Sequence, residues 1–414
     1  MVKSFHPIDE IAARISRADG AGVRLTHAAS ACAAGDEARG IALPVDPAAA
    51  VALALAAPLE FPPLSAGVVP GDRVAIAVDN AVPCVAAVVR GAVEALRSAG
   101  VEPRDISIIA TEAKTVELCR EELSAFEHGP QFVVHDPADE KNLCLIGVTK
   151  RGQPLFVNRT IFEADIVLPI GCARVNGQGV YNSLYPRFSN AETVEKSRTP
   201  AERDAVARRN GKRSEADEAG WMIGALMTVE VVPGSGETVA HVLAGEPQAV
   251  ARRSEELCRR RWLLHSPRRV SLLIATVTGG AQSQTWANIG RALAAAEHVL
   301  EEGGAVAICS NLEEQPGHSL GRLIRIPDID VAARKISHDR DADSWPAWHL
   351  ARALQRGPVY FLSQLSAETV EDLGLAPVES VDDLVRLAGR HESFAVVDDS
   401  QHAVVIVNGE DDAR

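Results

Sequence analysis

Residues 72–79 read DRVAIAVD and residues 106–111 read ISIIAT. Each is a short apolar run rich in β-branched residues and bounded by polar ones, which is the composition of a buried strand. Between them apolar residues recur at Val85, Val88, Val89, Val93 and Leu96, the spacing of one helix face, and Gly100 follows as a C-cap. Strand, helix and strand within about forty residues is the pattern of a parallel βαβ unit, and it sets the architecture expected for the rest of the chain.

Outward from this unit, AAAVALALAA (48–57) reads as a buried helix. QFVVH (131–135), CLIGV (144–148) and DIVLPI (165–170) are expected to extend the same sheet, and MTVEVV (227–232) is strand-like. The basic segment Lys196–Arg213 mixes both charge signs at helical spacing and reads as a solvated helix face. Residues 252–269 form a charged helix running into a Ser-Pro break, an expected linker. Beyond it the logic repeats: VSLLIAT (270–276), a double-glycine loop, a helix over 286–302 stopped by Gly303-Gly304, and AVAICSN (305–311). A helix at 345–355, the strand PVYFLS (358–363), a helix at 380–390 and a hairpin over FAVVDDSQHAVVIV (394–407) complete it. The expected fold is α/β in two domains, 1–265 and 266–414. Each is a parallel or mixed sheet flanked by helices, the C-terminal one smaller and doubly wound.

Composition narrows the function. A chain of 414 residues exceeds one ordinary core. Its 46% hydrophobic but only 4% aromatic content suits helices stacked on parallel sheets. A net charge of −14 opposes nucleic-acid binding, which needs a basic surface. The seven cysteines are scattered and never form C-x-x-C, as expected of reduced thiols in a cytoplasmic protein rather than of a disulfide framework or zinc site. No apolar run approaches the roughly 18 residues of a membrane span. The expected partner is therefore a small molecule, with neither nucleic acid nor membrane, and the oligomeric state is left open.

In sheets of this kind ligands bind beyond the carboxyl ends of the strands. Four loops lie there: 79–83, 111–115, 171–190 and 278–288. Asp79 is either a helix cap or a fixed acceptor facing a ligand. Lys114 is a point positive charge at the ligand edge, a weak candidate base, or simply solvated. The segment IGCARVNGQGVYNSLYPRFSN (170–190) offers Arg174, Asn176, Gln178, Tyr181, Asn182, Tyr185 and Arg187 but no carboxylate, histidine or lysine. Such groups hold and orient small carboxylates or phosphates, and none titrates near neutrality to act as a base. His135 in VVHDPAD suits a turn better than ligation. Neither G-x-G-x-x-G nor a Walker loop is present, which argues against a dinucleotide.

Several stretches together resemble the nickel-dependent lactate racemase family, which includes related 2-hydroxy-acid racemases and epimerases. They are LEFPPLSAGVVPGDRVAIAVDN (59–80), IIATEAKT (108–115), GVTKRGQPLFVNRTIFEADIVLPIG (147–171), YPRFSNAETVEK (185–196), VTGGAQSQTWANIGRALAAAEHVLEEGGAVAI (277–308) and DSWPAWHLARAL (343–354). The resemblance implies a nickel-pincer nucleotide, attached to a lysine and ligated by a histidine, with two further histidines that exchange the substrate's Cα hydrogen. The family's first-strand aspartate is matched by Asp79. The arginine that follows it falls on Val82, and the histidine of the next motif on Lys114. The anchoring lysine falls on Asn182, the histidine before it near Cys172 or Arg174, and the nickel-ligating histidine on Arg198. A carboxamide does not form the lysine's link, and a protonated guanidinium does not ligate a metal. In the C-terminal half the family's glutamine and lysine fall on Asn288 and Arg291, and its tryptophan is Trp345. The expected function is thus a lactate racemase-like protein with a pocket between the domains for a small anion, a hydroxy acid or a nucleotide, without the pincer's anchoring and ligating groups. The alternatives are an active racemase or epimerase with shifted ligands, and a non-catalytic regulatory or subunit role.

Overall fold

In a computed structural model the chain is described at residues 22–23, 25–27, 46–126, 128–150, 152–176, 181–201 and 215–409. Regular structure begins with a two-residue strand, β1 (Thr26–His27), and the helix α1 (Pro47–Ala56), whose first turn is capped by Asp46. The chain then forms β2 (Val74–Val78), α2 (Val85–Ser98), β3 (Ile106–Ala110), α3 (Ala113–Glu122) and β4 (Gln131–Val134). After the hairpin β5 (Leu143–Val148) and β6 (Pro154–Asn158) come β7 (Ile166–Cys172), α4 (Ala191–Arg198), β8 (Thr228–Pro233) and β9 (Val239–Gly245).

Six of these strands make one sheet in the order β4-β3-β2-β7-β8-β9, parallel except for the antiparallel edge strand β9. The βαβ reading of 72–111 holds: every residue of β2 is buried, as a strand covered on both faces must be, and α2 buries Val85, Val88, Val89, Val93 and Leu96. Gly100, at φ +100°, ends that helix, with Val101 N donating to the Leu96 carbonyl. From β2 the chain moves outward to β3 and β4, then returns to place β7 on the other side of β2. The reversal point of the sheet is therefore between β2 and β7.

The remaining chain forms α5 (Pro247–Trp262), β10 (Leu263–Ser266), β11 (Val270–Thr276), α6 (Trp286–Ala296), β12 (Leu300–Cys309), α7 (Ser344–Arg356), β13 (Val359–Leu362), β14 (Ala376–Pro377), β15 (Phe394–Val397) and β16 (Val404–Val407). An all-parallel sheet runs β14-β13-β12-β11-β15, and a small one runs β1-β10-β16. By contacts the described chain divides into one compact unit of residues 46–197 and 215–258 and a second of residues 22–27, 198–201 and 259–409.

Three local expectations change. CLIGV does not extend the large sheet: β5 pairs only with β6, across a turn in which Thr149 N donates to the Gln153 carbonyl. None of its residues is fully buried, as in a surface ribbon rather than a strand covered on both faces. The helix expected to reach 302 stops at Ala296, and β12 already pairs at Leu300 with Val270. Gly303 and Gly304 lie inside that strand, where the register slips between Val270 and Leu272, so the pair absorbs a bulge instead of ending a helix. The closing hairpin is not one: β15 pairs parallel with β11, whereas β16 pairs parallel with β10 in another sheet. Among the described residues no helix is long and apolar enough to cross a membrane.

Candidate functional site

The polar groups of the first unit collect at the reversal point. Asp79 directly follows β2, and its N–H continues the ladder to the Ile170 carbonyl at 2.9 Å. In the β2–β7–β8 register Val78, Ile170 and Val229 stand level. The next level holds Asp79, Gly171 and Glu230, whose side-chain positions share the opposite sheet face. The middle position has no side chain, and this is required: a Cβ on Gly171 would stand 2.6 Å from Glu230 Oε1 and 3.2 Å from Ser183 Cβ. Two carboxyl groups thus flank a bare glycine.

Their environments differ. Asp79 is buried, accepts from Ala81 N at 3.0 Å and accepts from Arg187 Nη2 at 3.0 Å. Its carboxylate is therefore neutralised in place, and its backbone hydrogen bonds close a tight turn ahead of α2 rather than capping that helix. Among the described residues no side chain is hydrogen-bonded to Glu230 in this way. Its carboxyl is enclosed although the residue retains some accessible area, and that burial pushes its pKa up to about 8. The neighbouring Asp79 charge raises it further, against the opposing pull of Arg174. At neutral pH Glu230 is mostly a neutral acid.

After β7, residues 181–189 lie over this face and are held there firmly. Leu184 and Phe188 are fully buried against Ala75, Ala77 and Ile109, and Tyr181 donates its hydroxyl to the Ala225 carbonyl at 2.9 Å. His135 secures the far end: one ring nitrogen meets the Ser189 carbonyl at 2.9 Å and the other the Asn158 amide at 3.1 Å. With the amide donating to Nδ1, Nε2 carries the proton. Burial holds the imidazole pKa below its ordinary value. Both nitrogens being used, His135 is a brace, in keeping with its expected place in a turn.

Against that anchorage some polar atoms stand out. Asn182 Nδ2, Ser183 Oγ and Asn80 Oδ1 are buried with no hydrogen-bond partner among the described residues. The other end of the Asn80 carboxamide is committed, Nδ2 donating to Thr111 Oγ1 at 2.6 Å, and the backbone carbonyl of Asn182 accepts from Arg187 Nε at 3.2 Å. Arg187 therefore ties the loop backbone to Asp79. Asp79→Asn, which keeps the turn but discharges the pair, is expected to lower stability by about 1 kcal/mol in urea unfolding, because the guanidinium is partly solvated.

The other sequence candidates are distributed as follows. Arg174 is half-buried and faces Glu230 and Cys258, whose thiol pKa is raised mainly by burial. Lys114 is exposed in the first turn of α3. Gln178 lies outside the described residues. Arg198, Asn288, Arg291 and Trp345 belong to the second unit. There the Arg198 carbonyl accepts from Ser344 Oγ at 2.9 Å, Arg291 donates to Asn288 Oδ1, and Trp345 packs edge-on against His349 with ring centres 4.4 Å apart. The reversal point of the second sheet, between β11 and β15, is filled by its own side chains. Thr276 donates to Asp398 at 3.2 Å, Thr278 to Asp399, and Gln401 bonds to the Thr278 backbone. The double-glycine loop is likewise satisfied internally through Gln284, which bonds Val277, Gly279, Ser310 and Asn311.

Among the described residues one trio, His318, Asp339 and Asp341, brings three metal-ligating groups together, but Arg322 occupies both Asp339 oxygens. A surface groove of about 530 Å³ lies between the helix Ile329–Ile336 and α7, lined by Asp330, Arg334, Trp348 and Arg352, and its Arg352 is paired with Glu297. Glu230, Asn80 and Ser183 are the site residues that sequence reasoning missed. The available signal for Glu230 was a single carboxylate inside the otherwise apolar MTVEVV.

The fold and site define a two-unit α/β protein with polar groups gathered at the reversal point of its first sheet. Residues 32–177 match the lactate racemase N-terminal domain family. Lactate racemase of Thermoanaerobacterium thermosaccharolyticum is 22% identical over 276 residues, 62% of this chain and 64% of that protein, so the aligned part spans less than two thirds of the relative's length. The lactate racemase apoprotein structure from the same organism matches with a TM-score of 0.68, covering 90% of this chain and 96% of that one at 18% identity. A protein from Thermotoga maritima matches at 0.59, covering 88% and 100% at 12% identity. The chain is thus similar to lactate racemases in the sequence of its N-terminal part and shares the fold of the apoprotein.

Proposed function

We propose that this protein binds a small hydroxy-carboxylate at the β2/β7 strand edge and does so without an anchored nickel-pincer nucleotide. The observation that carries the reading is the set of buried, unpartnered groups there: two donors, Asn182 Nδ2 and Ser183 Oγ, and one acceptor, Asn80 Oδ1. Buried polar atoms in folded proteins are nearly always paired, so a group of them at a strand-edge crevice supports a ligand with matching polarity. A carboxylate accepts from the two donors and is attracted by Arg174, and a hydroxyl donates to Asn80.

The residues do not fit the family's cofactor. The position that resembles the anchoring lysine is Asn182, whose carboxamide is not a nucleophilic amine, and the position of the ligating histidine is Arg198. Hydroxyl, carboxamide and guanidinium are groups for holding an anion. The similar proteins are lactate racemases, which makes 2-hydroxy acids the first ligands to try.

Calorimetry with lactate, other 2-hydroxy acids and mononucleotides tests this. Binding with a dissociation constant on the order of 0.1 mM is expected for a ligand this small. Ser183→Ala is expected to weaken it about tenfold, the effect of removing one hydrogen bond to a charged group. The protein, co-expressed with a pincer-synthesis pathway, is expected to contain no stoichiometric nickel. Absence of binding across the panel refutes the reading, and stoichiometric nickel favours the racemase or epimerase with shifted ligands.

A further inference from the structure

We infer that Glu230 contacts the ligand as a hydrogen-bond donor, so that the site takes a carboxylate only while this residue carries its proton. This rests on the reading of the site as a small-carboxylate pocket and names the residue that sets its selectivity. The argument is geometric. Glu230 stands level with Asp79 across Gly171, its Oε1 lies over the bare glycine backbone, and the unpartnered Ser183 hydroxyl is borne on a Cβ only 3.2 Å from where a Gly171 side chain would begin. A ligand that satisfies Ser183 therefore meets the Glu230 carboxyl.

The charges around it decide which form of Glu230 permits an anion there. From the end of β2 comes the Asp79 carboxylate, already matched by Arg187 of the covering loop. From the stretch after β7 comes Arg174, and from α5 the Cys258 thiol, kept neutral by burial. With Glu230 ionised the group carries two carboxylates against two guanidiniums and leaves no positive charge for an incoming anion. With Glu230 neutral, one guanidinium charge is left over and the carboxyl O–H points a donor at the ligand. Like charges in so enclosed a space repel strongly, so the neutral acid is the binding form. Burial of this carboxyl, which favours the same form in the free protein, means that binding needs no proton uptake near neutrality.

The test uses the whole chain and lactate as the probe. With the carboxyl titrating at about 8, the protonated fraction falls to roughly one in eleven at pH 9, so lactate affinity is expected to drop about tenfold between pH 6 and pH 9. Glu230→Gln keeps a neutral donor and is expected to bind with a flat pH profile. Glu230→Asp, one methylene shorter, is expected to bind at least several-fold more weakly at pH 6. Difference infrared spectra of free wild-type protein against Glu230→Gln supply a ligand-independent readout: a neutral carboxylic acid band at pH 7 that disappears by pH 9. Binding that is flat in the wild type, or equally pH-dependent in Glu230→Gln, overturns the inference and leaves the pocket standing. Absence of lactate binding at every pH, with the infrared band present, instead refutes the carboxylate pocket itself.

Discussion

Glu230→Gln is expected to make the protein more stable at alkaline pH and to leave it nearly unchanged at pH 4. In the fold the carboxyl titrates at about 8, against an ordinary value of 4.5. A group whose pKa is raised on folding contributes its stability fully below the unfolded value and loses it as pH rises through the folded one. Wild-type stability should therefore decline between pH 4.5 and pH 8 through this group, and glutamine, which does not ionise, removes that decline. After allowance for the residue's partial accessibility the difference at pH 9 is on the order of 3 kcal/mol. Urea unfolding at pH 4, 7 and 9 reads it directly. Parallel wild-type and variant profiles would show that Glu230 is solvated and that Asp79 and Arg174 do not form its surroundings.

Phe188→Ala is expected to cost about 3–5 kcal/mol, the usual range for deleting a fully enclosed aromatic side chain. The ring is completely buried, lies against Leu184, Ala75 and Ala77, and stands edge-on to His135 with centres 5.7 Å apart. It also sits between Arg187, which reaches Asp79, and Ser189, whose carbonyl His135 holds. Loss of the ring should therefore reduce ligand binding along with stability, whereas Phe188→Leu, which refills most of the volume, should cost below about 1.5 kcal/mol and keep the site. Equal thermal unfolding of Phe188→Ala and wild type would mean that the loop is not seated on the sheet.

Asp79 and the loop 171–190 were legible as candidates because strand ends announce themselves locally: an apolar run stops, and polar or glycine residues follow. The same local reading failed for the final fourteen residues of regular structure. FAVV and VVIV look like partners because they are neighbours in sequence, yet β15 pairs with β11 and β16 with β10. It failed again at Gly303-Gly304, where a glycine pair reads equally well as a helix stop and as a strand bulge. Arg198, Asn288, Arg291 and Trp345, found by likeness, sit in the second unit; Arg198 is tied there to the distant Ser344, whereas Trp345 with His349 and Arg291 with Asn288 meet within one helical turn.

From its sequence alone the chain declared its α/β class, its buried strands and the helix that follows the first of them, since burial and periodicity are properties of consecutive residues. Likeness of motif added the resemblance to lactate racemases and the expectation that Asn182 stands where that family has its lysine. The meeting of Asp79, Gly171 and Glu230 was decided by tertiary structure, through parallel pairing of strands far apart in the chain. No local pattern encodes which strands will lie side by side, and a carboxyl group's charge depends on its neighbours in space. Glu230 becomes a neutral acid only when the fold closes water away from it and sets a second carboxylate across a glycine.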